Sequence, residues 1–154
     1  MKKLLLLLFT YLSLVSIAQN KRIETHIQKL DNSQFVIDHH AKATFSYNSP
    51  SANKLIKIGK RASPKLIEAL NDPKKIIMAH FTLCHIYFKH VSFAGPKEQS
   101  LGDEIVYKYY LGEEKGEGLI ISETKKAGEF AIFIEPKDKE YILNYWKNKT
   151  SSIK

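Results

Sequence analysis

The chain holds six histidines and one cysteine, the side chains best suited to metal ligation or proton transfer. His80 and Cys84 are four positions apart, so on a helix they share a face and could supply two ligands. His85 would stand about 140° around the same helix from His80, so these three do not converge. His39 and His40 are adjacent and diverge in helix and strand alike. A metal site built from His39, His40, His80 and Cys84 would need the fold to join distant segments. No HExxH, CxxC or GxSxG spacing is present. His80 and Cys84 also lie inside a long apolar run, where a hydrogen-bonded core histidine and an inert buried thiol are the simpler reading. The expectation is therefore no catalytic residue, no metal and no cofactor. Tyr107, Tyr109, Tyr110, Tyr141, Tyr145 and Trp146 are the other group of interest. They suit either one aromatic contact patch or the packing of a sheet and its last helix.

The elements that would position these residues fall into two halves. Three times a small oxygen-bearing residue precedes proline, at Ser49-Pro50, Ser63-Pro64 and Asp72-Pro73. Such pairs start helices. The side chain accepts from an orphan N–H, and proline fits the first helical position. Ala52, Leu55, Ile56 and Gly59 then follow the spacing of an amphipathic stripe. Helices are expected at about 50–60, 64–70 and 73–89. Apolar residues would cover roughly 220° of the third, leaving Met78, Thr82, His85 and Lys89 on its free face. Upstream, Ile23, Ile27 and Leu30 have helical spacing. Asp31-Asn32-Ser33 breaks that run and is expected to cap a helix from Gln34 to about Phe45, although Phe35–Ile37 also fits a strand.

Residues 50–88 resemble a HEAT-type repeat. The resemblance rests on Leu55-Ile56-Lys57-Ile58-Gly59, Ala62-Ser63-Pro64, Leu66-Ile67-Glu68-Ala69-Leu70 and the Asp72 turn, then a helix with Ala79 and Leu83. It implies a binding scaffold without a shared catalytic set. A solenoid needs about three repeats, so the rest of the chain must cap these helices.

After Gly95-Pro96 the period changes to two. Ile105, Tyr107, Tyr109 and Leu111 alternate with Val106, Lys108 and Tyr110. Leu119–Ile121 is a short apolar run, and Phe130, Ile132 and Ile134 alternate with Ala131 and Phe133. Gly-bearing turns separate these segments, which predicts an antiparallel meander of three strands. Asp138 is expected to start a closing helix. The predicted fold is α+β: a short HEAT-like stack of helices on a three-stranded antiparallel sheet with a C-terminal helix. As one domain, it divides into helices over 20–92, meander over 103–135 and last helix over 137–148.

The first eighteen residues read as a secretory signal: Lys2 and Lys3, an apolar run from Leu4, then Ser16-Ile17-Ala18 with the cut expected after Ala18. The short basic start and the Ala-Gln junction resemble those of exported Bacteroidota proteins. Cleavage would remove two lysines and lower the net charge from +8 to +6. The remaining lysines are scattered, and an exported chain is a poor nucleic-acid partner. The lone cysteine excludes an internal disulfide. The expected function is a secreted or periplasmic interaction module, with no transmembrane segment after cleavage. It would bind a protein or envelope partner near Lys57, Lys60, Arg61, Lys65, Lys74 and Lys75. The alternatives are a small metal-dependent or hydrolytic enzyme using the His and Cys residues, and an immunity or inhibitor protein.

Overall fold

A computed structural model describes residues 18–39, 44–101, 104–113, 118–126 and 129–152. The expected signal segment up to residue 17, and His40, lie outside them. The described chain opens with a helix over residues 18–28, α1. A hairpin follows, made of β1 (Phe35–Asp38) and β2 (Thr44–Tyr47). Three helices come next: α2 (Pro50–Ile58), α3 (Ser63–Ala69) and α4 (Ile76–Tyr87). Four strands form the second sheet: β3 (Ser92–Leu101), β4 (Glu104–Gly112), β5 (Gly118–Lys126) and β6 (Glu129–Phe133). The helix α5 (Pro136–Ser151) closes the fold. Both sheets are antiparallel, and the larger has the simple order β3-β4-β5-β6.

The class is α+β, but its composition differs from the sequence expectation. There are two sheets, of two and four strands, rather than one of three. The stretch 20–92 is not wholly helical, so the molecule is not a HEAT-like stack on a sheet. The expected helix from Gln34 to Phe45 is instead the hairpin. Phe35 and Ile37 are buried while Val36 is exposed, and this alternation satisfies a strand, not a helix. Asp31 does cap, but it caps only a short 3-10 turn, Asn32–Gln34, in a reciprocal arrangement with the Gln34 side chain. The neighbouring Asn32 serves the start of α4: its Oδ1 accepts from the Ile77 N–H at 2.9 Å. It also donates from Nδ2 to the Pro73 carbonyl at 2.8 Å. A side chain that reads as a local helix start thus closes a contact over forty residues away.

The first Ser-Pro start behaves as expected, with Ser49 Oγ accepting from Ala52 N–H at 3.2 Å. Ser63 does not cap. It is the first residue of α3, and its Oγ accepts from the Tyr87 hydroxyl at 3.0 Å. Asp72 holds a turn, accepting from the Lys74 N–H at 2.9 Å, so α4 begins at Ile76 rather than residue 73. β3 was absent from the sequence reading because it is polar, carries Gly95-Pro96 and has a bulge between Ala94 and Lys97. These are features of an edge strand, whose pairing partner supplies the order that local propensity lacks.

α4 is the axis of the core. It contacts α2, α3, β4 and β5, and every residue from Ile76 to Cys84 is buried. Met78 and Thr82, expected on a free face, are fully enclosed. Thr82 satisfies its hydroxyl on the Met78 carbonyl at 2.6 Å. Of the expected free face, His85 and Lys89 are exposed. An aromatic cluster joins the two sheets to α4. Phe35 and Phe45 stack at 5.1 Å, and both meet Phe81 on α4 and Phe93 on β3. Each such pair adds about 0.5–1.5 kcal/mol beyond simple burial.

Candidate functional site

His80 and Cys84 do come together, inside the protein. Both are fully buried, and the Cys84 sulfur lies 3.3 Å from His80 Nε2. His80 is already committed on both ring nitrogens. The Leu111 carbonyl, 2.7 Å from Nε2, can only accept, so Nε2 carries the proton. The Trp146 indole N–H, 2.9 Å from Nδ1, can only donate, so Nδ1 holds the lone pair. One tautomer of neutral imidazole therefore links α4, β4 and α5. Burial lowers the His80 pKa to about 4, against a smaller upward pull from the Leu111 carbonyl. Burial likewise pushes the Cys84 thiol far above its ordinary range, with Glu113 adding and Lys149 opposing. A thiolate–imidazolium pair needs the opposite shifts. The pair is a core joint, with no nitrogen free for a metal.

His39 goes elsewhere. It follows β1 and reaches the larger sheet, where its Nε2 lies 3.5 Å from Glu123 Oε1. Its Nδ1 is 3.3 Å from the Tyr109 hydroxyl. Tyr109 donates to Glu123 Oε2 at 3.0 Å. Glu123 is only 2% exposed, so these two partners replace the water it has lost. Burial, then the Glu123 bond, pushes the Tyr109 phenol up. Sequence reasoning passed over Glu123, although the signal was there: it alternates with Leu119 and Ile121 on the face that packs into the core. The Tyr109–Glu123–His39 cluster ties the hairpin to β4 and β5. Among the described residues, no three His, Cys, Asp or Glu side chains gather where they could hold a metal.

Several side chains of the expected basic surface have partners within the protein. Lys65 meets Glu24 at 3.5 Å and Glu68 at 3.0 Å. Lys75 pairs with Asp72, and Lys60 stands over the Tyr87 ring at 5.6 Å. Lys57, Arg61 and Lys74 are exposed. Trp146 and Tyr109 are buried, Tyr141 is exposed, and Tyr110 points to the sheet face opposite Tyr109.

Two surface features missed by the sequence reading remain. The first is β6. Among the described residues, no strand pairs with its outer edge. Phe130, Ile132 and Phe133 are 46%, 39% and 39% exposed. A cavity of about 520 Å³ runs beside them, against Asn32, Pro73 and Ile77. His39 stacks on Phe130 at 4.7 Å and fixes that ring. The second is a cavity of about 660 Å³ where the β3 bulge faces the start of α5. No helix among the described residues is long and apolar enough to cross a membrane. Comparison with family models, curated proteins and solved structures returned no match, so the HEAT-type resemblance has no support beyond its local motif.

Proposed function

We propose that this protein is a non-catalytic binding module that takes an extended apolar segment of a partner polypeptide as a further strand on β6. The observation that carries this reading is the contrast between the two edges of the larger sheet. β3 is blunted by Pro96, by the bulge and by exposed Lys97, the usual protections against strand addition. β6 has none of them. It is regular over its register with β5, contains no proline, and shows exposed apolar side chains on both faces. An added strand would bond to its free backbone groups and rest side chains in the adjoining cavity.

An enzyme reading loses its residues in this geometry, since His80 and Cys84 are buried and occupied and His39 is engaged elsewhere. Export, read from the leader alone, would make the partner an envelope or periplasmic polypeptide. An immunity or inhibitor protein would use the same edge.

The test is binding of labelled six-residue peptides of alternating Val/Ile and Thr, followed by fluorescence polarisation. Wild type is expected to bind, and Ile132→Lys, a surface change, to lose binding while keeping its melting temperature. Absence of binding to any such peptide would overturn the reading. So would slow hydrogen exchange, in the free protein, of the β6 amides that face away from β5. Self-association abolished by Ile132→Lys would replace the foreign segment with a second copy of the chain.

A further inference from the structure

The cavity of about 660 Å³ between β3, β4 and α5 lies apart from the β6 edge, and its chemistry is different. Its size falls within the roughly 300–1,000 Å³ typical of small-ligand sites. Pro96, Ile120 and the Tyr110 ring supply apolar wall. The Tyr110 hydroxyl is tied to the Glu113 carbonyl, which holds that ring in place. Gly95 forms part of the lining with its backbone, because a Cβ there would stand 2.8 Å from the Lys108 carbonyl.

The polar groups are set as firmly. Lys108 donates to Glu135 Oε1 at 2.7 Å, and Lys137 pairs with Oε2 at 2.8 Å. Both lysines line the cavity, with their shared carboxylate beside it. Asp138 lines it as well, and its Oδ2 is buried without a hydrogen-bond partner among the described residues. Burial, with Glu135 nearby, raises the Asp138 pKa, the mark of a carboxyl short of donors. A buried acceptor left unpaired is costly, so a small turn of this carboxyl that brings the oxygen onto a ligand donor in the cavity is favoured. Around the site, Lys97, Lys108 and Lys137 are balanced by Glu98, Glu135 and Asp138. With no net charge, the site selects neither a free cation nor a free anion. It suits a neutral ligand that donates a hydrogen bond to Asp138, accepts one from lysine, and lays an apolar face on Tyr110 and Pro96.

We infer that this cavity binds a saccharide: a neutral, multiply hydroxylated ligand whose hydroxyl donates to Asp138 Oδ2. Hydroxyls both donate and accept, and the less polar face of a pyranose ring matches the Tyr110 wall. The inference is independent of the β6 reading and shares no residue with it.

Two-dimensional amide NMR of the full chain tests it, with glucose, galactose, N-acetylglucosamine and their short β-linked oligomers as probes. At least one is expected to shift the amides of residues 95–99, 108–110 and 137–138 saturably. Asp138→Asn, which keeps the shape but changes an acceptor to a donor, should weaken that binding about tenfold. Lys97→Glu, at the exposed rim, should weaken it while leaving the core untouched. No saturable shifts at these residues with any probe would overturn the inference. Equal affinity in both variants would do so too, as would shifts produced by tetramethylammonium or inorganic phosphate in place of the sugars.

Discussion

His80 stays neutral at pH 7 because charging it would place an unpaired cation at the centre of the core. Its folded pKa of about 4 lies below the ordinary 6.5. The unfolded chain therefore binds a proton between those values that the folded protein refuses. The resulting stability is fully present above about pH 6.5 and is lost as pH falls towards about 4. The loss from this group alone is about 3 kcal/mol. Urea unfolding at pH 7.5 and pH 4.5 measures it. A His80→Gln variant should show a flatter profile across that window, and an unchanged profile would contradict the assignment. Glu135 responds lower on the scale: the Lys108 bond, then the Lys137 bond, hold its pKa at about 2. That a histidine in an apolar helix is structural was legible from its spacing. The identity of its partners was not, since Leu111 and Trp146 lie 31 and 66 residues away.

Among the elements, the legible features were those whose cause is local. Ser49 caps α2 because its acceptor and donor are three residues apart. Gly59 ends α2 with φ of 74°, where a side chain would meet open space. Gly95 poses a different constraint, combining φ of 137° with the near contact to Lys108 across the bulge. Gly95→Ala should therefore cost more stability than Gly59→Ala. The expected losses are about 2–4 kcal/mol and about 1 kcal/mol, read from urea titrations of both variants. Equal losses would mean that the bulge yields to the methyl group. The same division explains the elements that were misread. Asn32 looks like a cap for the residues that follow it, but its side chain is used by α4. β3 looks like a loop because its order comes from β4, with no apolar alternation of its own to announce it.

At the scale of the whole molecule, one core spans both sheets and all the described helices, with Cys84 near its centre. A thiol so placed reports on cooperative opening. Native protein should leave Cys84 unreactive to a disulfide reagent, and the slow rate should follow global stability as urea is added. Rapid labelling under native conditions would show that α4 opens separately. Periodicity by itself determined the α+β class, the amphipathic α2, the strands β4 to β6 and the closing helix. Each of these follows from side chains repeating along a few residues of chain. Only the tertiary structure decided that β3 and the hairpin exist, and that His39 serves Glu123 while His80 serves Trp146. It also left the outer edge of β6 without a pairing strand among the described residues. Those outcomes depend on which groups lose water together when distant segments close on one core, and no local repeat in the chain records that.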